Sequence, residues 1–395
     1  MHDSIVGRVI FFFLATVALR YLWVRLRSAV PTRLRWPGAI LFVLLIFLAV
    51  AYRVLPLGLG LLGEATFTAG GFWLVTLSNW LVTCLVVDLF VLVVWINKRM
   101  MGIGGSWREI YQGLSRKRTS AIPVLAFLTV VVSIAFWVYG FKNQLAFQVT
   151  EQRVHVDKPL AKPLRIAVLS DLHFDPLFQI NKLDRLVDSL EKVKPDMIVF
   201  LGDMSDLPSA SLDAMGIGDR LNRLHAPLGI YGITGNHEGY TLQRDPHLLD
   251  WIELHGVQLL RDESICLPLL CLTGREDPTV AKLTTGLRKT LPEILPNLAD
   301  ATQKPWLLLD HQPVGLKPED LAGLTLHPDL GVSGHTHAGQ FFPWTIAVKF
   351  AWPLAQNMGS LQGVPWYVTS GFGQWGPAVR VGCHTEILII DLEGR

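Results

Sequence analysis

Residues 164–173 read LRIAVLSDLH, an apolar, β-branched run that ends in a polar cluster. The same arrangement returns in MIVFLGDM at residues 197–204 and in GIYGITGNHE at residues 229–238. Short apolar runs bounded by turn residues are typical of buried strands. In open α/β sheets, ligand-binding groups gather just past the carboxyl ends of such strands. The three segments therefore predict three strands whose polar ends form a site.

The segments around these strands have their own periodicity. Leucine and valine recur at helical spacing in residues 180–193, which predicts an amphipathic helix that packs on the sheet. Residues 212–224 and 246–255 predict two further helices, and the alternating stretch 148–156 predicts an opening strand. Strand–helix–strand repetition predicts a parallel sheet with right-handed crossovers.

Metal-ligating residue types lie at five predicted strand ends. LLLDHQP at residues 307–313 and LGVSGHTH at residues 330–337 add histidines to the first three clusters. The full set is Asp171, His173, Asp203, Asn236, His311, His335 and His337. It offers oxygen and imidazole donors and no thiolate, which suits hard to borderline metal ions. The set is large enough for two ions that share one carboxylate, with positions left open for substrate.

The order of these motifs, DxH, GD, GNHE, H and GHxH, resembles that of the calcineurin-like metallophosphoesterases over roughly residues 164–391. The flanking sequence resembles the membrane-associated bacterial phosphodiesterase branch more closely, in ITGNHE (233–238), HQP (311–313), GHTH (334–337) and YVTSGFG (367–373). The resemblance implies an α/β/β/α sandwich, in which two face-to-face sheets are flanked by helices. It also implies a metal-dependent phosphoric ester hydrolase.

The resemblance further implies a role for each motif residue. Asp203 is expected to be the carboxylate shared by two divalent metal ions. The expected ligands of the first ion are Asp171, His173 and His337, and those of the second are Asn236, His311 and His335. His237 is not counted as a ligand and is expected to act in catalysis, by donating a proton to the leaving oxygen or by stabilising transition-state charge. Mn, Fe and Zn all suit imidazole and carboxylate ligands, so the metal stays open.

The composition divides the chain in two. Residues 1–150 contain 14 Lys and Arg against 4 Asp and Glu, whereas residues 151–395 contain 21 against 29. Long apolar runs fill the first part, and the second has ordinary globular composition. We therefore predict a transmembrane domain at residues 1–145 and a metallophosphoesterase domain at residues 146–395. The acidic second part lacks a basic patch interleaved with aromatic residues, so we expect no nucleic-acid partner.

Four apolar runs predict about four membrane-spanning helices, near residues 5–23, 37–55, 72–96 and 121–141. The first and third connections contain four and six basic residues, and the middle one contains Arg53 alone. By the positive-inside rule both termini, and the catalytic domain with them, then lie outside the cytoplasm. This multi-pass topology needs all four spans, because the loss of one reverses the parity.

Several local features allow more than one interpretation. Cys266 and Cys271 fit either a hairpin disulfide or two buried thiols. Arg380 fits a phosphate-binding group or, as we favour, a structural salt bridge. The aromatic stretch at residues 341–354 fits a core loop, or an apolar rim that admits a lipid-bearing phosphoester or rests on the membrane.

The sequence therefore predicts a membrane-anchored binuclear phosphoesterase that hydrolyses a phosphodiester or pyrophosphate, with a lipid-linked or envelope precursor as the first substrate class to test. A phosphomonoesterase acting on nucleotides or phosphoproteins is the alternative within the same chemistry. A catalytically silent membrane sensor or scaffold is the alternative from another class, although the complete ligand motifs favour an enzyme. The oligomeric state is not defined by the sequence.

Overall fold

The computed structural model describes residues 16–24, 32–51, 61–102, 122–160, 162–295, 298–322 and 324–395. The chain divides into two compact units, Met1–Tyr139 and Gly140–Arg395. In the first unit, residues 16–24 are helical and a 3₁₀ turn at Thr32–Leu34 leads into α1, Arg35–Ala51. Helix α2 is Leu61–Met100, and α3, Ile122–Leu145, continues into the second unit.

One described helix is long and apolar enough to cross a membrane, at Thr68–Met100, and only 6% of its most apolar window is buried. This segment contains the span predicted near residues 72–96. The other three predicted spans lie partly outside the described residues. Helix α1 has 17 residues, about 25 Å at 1.5 Å per residue, which falls short of the roughly 30 Å hydrocarbon core. The structure therefore supports one candidate span, and the prediction of about four helices is confirmed only at that position.

The second unit contains two six-stranded sheets. The first has the order β1-β12-β2-β3-β4-β5 and the second the order β10-β11-β9-β8-β7-β6. In chain order the strands are β1 Phe147–His155, β2 Leu164–Leu169, β3 Met197–Phe200, β4 Ile230–Gly232, β5 Gln258–Leu259, β6 Glu263–Cys266, β7 Cys271–Gly274, β8 Trp306–Leu309, β9 Leu330–Ser333, β10 Asn357–Leu361, β11 Val364–Val368 and β12 Thr385–Glu393. Strands β2 to β5 are parallel as predicted, whereas β12 pairs antiparallel with β2, so both sheets are mixed.

Helices connect the strands of this unit. They are α4 Ile180–Val193, α5 Ser209–Ala214, α6 Ile217–Leu221, α7 Asn236–Leu242, α8 Leu248–Leu254, α9 Pro278–Thr284, α10 Leu298–Gln303, α11 Pro318–Leu321 and α12 Trp344–Ala351, with 3₁₀ turns at Leu291–Ile294 and His337–Gly339. The prediction of a single helix at residues 212–224 is wrong. Gly216 adopts a φ of 66° and divides that stretch into α5 and α6, a conformation that glycine tolerates at no steric cost.

The main core lies between the two sheets. It joins residues of the first sheet, such as Val199 and Leu388, to residues of the second, such as Leu309 and Val332. A second apolar cluster around Trp306 and Trp366 also includes residues of the second sheet. The sandwich expected from the motif resemblance is therefore present as an α/β fold of two mixed sheets with helices. Its strand ends carry the residues described next.

Candidate metal centre

The seven predicted ligands come together at the carboxyl ends of five strands. Asp171 and His173 follow β2, Asp203 follows β3, and Asn236 opens α7 just after β4. His311 follows β8 of the second sheet, and His335 and His337 follow β9. Five of the seven have positive φ values between 45° and 69°, namely Asp171, His173, Asp203, His335 and His337. Such left-handed conformations are unfavourable for residues with side chains and cluster at functional sites.

Asp203 lies between two groups of ligand atoms. Its Oδ2 is 3.7 Å from His173 Nε2 and 3.2 Å from His311 Nε2. On one side, atoms of Asp171, His173 and His337 lie within 4.8 Å of one another. On the other side, the same limit holds for Asp203, His311 and His335. Asn236 Oδ1 is 3.3 Å from His311 Nε2, which adds it to the second group.

The histidine nitrogens face one another across this centre. His173 Nε2 is 3.1 Å from His337 Nε2, and His335 Nδ1 is 3.1 Å from His311 Nε2. His311 Nδ1 is 2.7 Å from the carbonyl oxygen of Leu201, which accepts its proton and leaves Nε2 as a lone-pair donor. Among the described residues neither Asp171 nor Asp203 pairs with a lysine or arginine. Buried carboxylates and imidazoles that converge without such a cation fit bound divalent metal ions.

Burial and neighbouring charges set the protonation of these groups. Burial raises the pKa of Asp171. Burial also opposes ionisation of Asp203, but His311 and His237 hold the pKa of that carboxyl well below its usual range. Burial, reinforced by the charge of His311, lowers the pKa of His335 to about 3. Burial and His173 likewise lower the pKa of His337. Both imidazoles are therefore neutral near pH 7, the form that ligates a metal.

Asp206 completes the site and was missed by the sequence analysis. Its Oδ1 accepts hydrogen bonds from Nδ1 of His173 (3.0 Å) and from Nδ1 of His237 (2.6 Å). Despite burial, the two histidines hold the pKa of this carboxyl well below its usual range. One carboxylate therefore orients a predicted ligand and the predicted catalytic histidine together. Its position three residues after Asp203, in GDMSD, was the available signal.

His237 lies beside the centre, as predicted. Its backbone N–H donates to Asp203 Oδ1 at 2.8 Å, and its ring packs edge-on against His173 with centroids 4.5 Å apart. Atoms of His173, Asp203 and His237 also fall within 4.8 Å of one another, so His237 is in reach of a bound ion.

Glu238 connects the second and third motifs. Its carboxylate accepts backbone N–H bonds from Asp203, Met204 and Gly235 at 2.7–2.8 Å and from Ser205 at 3.2 Å. The motif glycines allow this close approach. A Cβ on Gly235 would lie 2.2 Å from Asp203 Oδ1, and one on Gly334 would lie 1.9 Å from Ser170 Oγ. These positions therefore require glycine.

Arg380 supports the other side of the centre. It is fully buried, and its guanidinium donates to the carbonyl oxygens of Gly371, Gly373 and His384, with Nη2 3.4 Å from His337 Nδ1. The favoured prediction of a salt bridge is wrong, since no carboxylate of the described residues pairs with it. Backbone carbonyls satisfy the charge instead, an arrangement that sequence spacing does not reveal.

Comparison with known proteins relates this centre to one family. The model of the calcineurin-like phosphoesterase family matches residues 164–339, which include every predicted ligand and His237. A metallophosphoesterase of Campylobacter jejuni is 32% identical over 272 residues, covering 68% of this chain and 70% of that protein. A transmembrane protein with metallophosphoesterase domain from Bos taurus is 30% identical over 308 residues, covering 73% and 67%. Its counterpart from Danio rerio is 29% identical over 347 residues, covering 81% and 74%.

Proposed function

The chain belongs to the calcineurin-like phosphoesterases, which are metal-dependent phosphoester hydrolases, and we propose that it hydrolyses a phosphodiester or pyrophosphate at a binuclear metal centre. The position of Asp203 carries this proposal. A single carboxylate oxygen approaches His173 of one ligand group and His311 of the other, as a ligand shared by two ions would. A carboxylate suits that position because it brings negative charge and two oxygens.

Each ligand group would hold one divalent ion, Mn, Fe or Zn. Asp171, His173 and His337 are assigned to the first ion, and Asn236, His311 and His335 to the second, with Asp203 common to both. The amide oxygen of Asn236 coordinates without adding charge, which keeps the centre attractive to an anionic phosphate. When bound, two such ions neutralise phosphate oxygens and generate a hydroxide nucleophile at neutral pH.

His237 acts on the leaving group. Asp206 accepts the Nδ1 proton of its ring at 2.6 Å and so fixes the tautomer and orientation of the imidazole. We assign the other ring nitrogen, Nε2, to proton donation toward the leaving oxygen or to stabilisation of its developing charge. Glu238 keeps the backbone of Asp203 and Gly235 in register for both roles.

The enzyme is proposed to be an integral membrane protein with several spans and an extracytoplasmic catalytic domain. The candidate span Thr68–Met100 and the similarity to proteins named as transmembrane support a membrane location. The structure joins Cys266 and Cys271 in a disulfide, a bond that persists in oxidising compartments and so supports the outward orientation. A membrane-tethered site favours a lipid-linked or envelope-precursor phosphoester as substrate.

The proposal is tested with the purified full-length chain in detergent, stripped of metal and resupplied with Mn²⁺. Release of nitrophenol is followed from methyl nitrophenyl phosphate, a diester, and from nitrophenyl phosphate, a monoester. We expect metal-dependent turnover of the diester that Asp203→Asn abolishes and His237→Ala lowers by roughly 10²- to 10⁴-fold. His247→Ala is the matched control, because His247 is an exposed histidine outside the centre.

The alternatives predict other results. Preferred turnover of the monoester would identify a phosphomonoesterase. Bound metal with no turnover of either ester, or of a panel of pyrophosphates, would favour a sensor or scaffold.

A further inference from the structure

Helix α12, Trp344–Ala351, is the most exposed apolar element of the catalytic unit. None of its residues is buried, although its sequence is WTIAVKFA. Phe350 is 88% exposed, and Trp344 and Ile346 are about half exposed at 47% and 52%. Soluble proteins seldom expose several apolar side chains of this size next to one another. A continuous exposed apolar patch therefore marks an interaction site.

The exposed residues form one continuous arc of the helix. At 100° per residue, Ile346, Phe350 and Trp344 lie along the outer side together with Ala347 and Ala351. Lys349 borders that arc and is exposed, and a lysine at such a border can keep its charge in water while its stem covers apolar surface. An apolar face that contains an aromatic residue and is bordered by lysine is typical of a helix lying in a membrane interface.

Both ends of the segment that carries α12 are fixed to the metal centre. Before the helix, His337 and Ala338 form a 3₁₀ turn that leads directly into Phe341. After it, the ring of Trp352 packs edge-on against His335, with centroids 4.9 Å apart, and Thr336 Oγ1 donates to the carbonyl of Ala355 at 2.6 Å. The apolar helix is therefore a neighbour of the phosphoester-binding residues.

The same segment adjoins the point where the chain enters the catalytic unit from its apolar N-terminal part. The carbonyl of Gly140, the first residue of the unit, accepts a hydrogen bond from the backbone N–H of Arg380 at 2.9 Å. The next residue, Val381, donates to the carbonyl of Gln340 and accepts from the N–H of Phe342, both at 3.0 Å. The adjacent residues Arg380 and Val381 therefore contact both the entry point at Gly140 and the residues that lead into α12. A chain anchored through its apolar part therefore enters the catalytic unit next to the α12 segment.

We propose that α12 is an interfacial helix that inserts Trp344, Ile346 and Phe350 between the lipids of the membrane and presents the metal centre to a lipid phosphoester. The lipid contact itself depends only on the surface of the helix. The substrate class rests on the proposed function, and the two are therefore tested separately.

Lipid contact is measured without catalysis. The cysteines outside the Cys266–Cys271 disulfide, Cys84 and Cys383, are replaced by alanine, and Phe350→Cys and Leu254→Cys chains are labelled with nitrobenzoxadiazole. Leu254 is the matched control because it is 79% exposed and lies on α8. Each full-length protein is reconstituted into phosphatidylcholine vesicles with or without bromine on the acyl chains. We expect bromine to quench the label at position 350 at least about threefold more than the label at position 254. Equal quenching at both positions would overturn the proposal.

Substrate selection is measured with two diesters that differ only in their tails, hexadecyl and methyl nitrophenyl phosphate, presented with the same vesicles. We expect Ile346→Ser/Phe350→Ser to lower the ratio of kcat/KM for the hexadecyl over the methyl ester by roughly tenfold or more. Leu254→Ser/Leu287→Ser, a pair of comparably exposed leucines, should leave this ratio within about twofold. An unchanged ratio in the α12 variant would overturn lipid selection by this helix. Inactivity of the parent on both esters and on the panel of pyrophosphates would instead contradict the proposed function, and the quenching result would still decide lipid contact.

Discussion

Asp206 is the single residue on which two functional histidines depend. Its Oδ1 lies 3.0 Å from His173 Nδ1 and 2.6 Å from His237 Nδ1, so both rings share one acceptor atom. A carboxylate in this position fixes the tautomer of a metal ligand and raises its basicity. For His237 it also fixes the orientation of the ring, so that Nε2 is the nitrogen left for the proposed role.

Replacing Asp206 by asparagine should therefore lower turnover without unfolding the protein. The amide keeps one oxygen acceptor but loses the negative charge, and we expect kcat/KM for methyl nitrophenyl phosphate to fall roughly 10- to 100-fold. Steady-state kinetics with metal content measured on the same sample tests this. Asp188→Asn, an exposed carboxylate of α4 paired with Arg223, is the control and should retain full activity. Unchanged kinetics in Asp206→Asn would show that Asp206 does not contribute to turnover.

Helix α4 shows how an element can bury a charge against its own sequence pattern. Leu183, Leu186, Val187 and Leu190 are buried as the spacing predicts, but Lys182 is also only 1% exposed. Its ammonium donates to the carbonyl of Phe372 at 2.7 Å and to Gln144 Oε1 at 3.4 Å. No carboxylate of the described chain forms an ion pair with it. Burial, followed by the charges of Arg380 and Arg185, holds the pKa of Lys182 well below its usual value.

This lowered pKa predicts a pH-dependent stability. Between the folded-state pKa and the ordinary value of 10.5, the unfolded chain binds the proton more strongly. The contribution of Lys182 to the free energy of unfolding is therefore fully present above its ordinary pKa of 10.5. It is lost as the pH falls from that value through the folded-state pKa. We expect the thermal midpoint of the parent to rise relative to that of Lys182→Met between about pH 7 and pH 10.

The measurement is thermal unfolding of the full chain in detergent across this pH range. Lys192→Met replaces an exposed lysine of the same helix, and its midpoint should stay at a constant offset from the parent. A constant offset for Lys182→Met as well would contradict a depressed pKa in the folded state.

The proposed orientation of the whole molecule rests on features far apart in the chain. Basic residues concentrate in the first and third connections of the apolar part, and Cys266 and Cys271 are joined across the β6–β7 hairpin. Both features support the proposed location of the catalytic unit on the oxidising side of the membrane. We expect alkaline phosphatase, which is active only outside the cytoplasm, to be active when fused after Arg395 and inactive when fused after Arg118 in a bacterial host. The reverse pattern would place the catalytic unit in the cytoplasm and would overturn the proposed orientation.

The sequence by itself determined the catalytic fold and predicted the proposed ligand set. Each ligand follows an apolar run directly, so its place at a strand end is a local property that the order of motifs reveals. The helix at residues 180–193 was predicted with its observed bounds for the same reason. The sequence also identified the apolar span near residues 72–96, which lies within the candidate span Thr68–Met100.

Only the tertiary structure decided which groups share an atom, a charge or a surface. The two contacts of Asp206, the carbonyl cage around Arg380 and the burial of Lys182 join residues that are 31 to 190 positions apart or lie across a turn. Periodicity within one element carries no information about such pairs. The aromatic stretch at residues 341–354 fitted a core loop and an apolar rim equally well, because both need the same residue types. Packing left helix α12 exposed beside the metal centre, and that exposure depends on what surrounds the helix rather than on its own sequence.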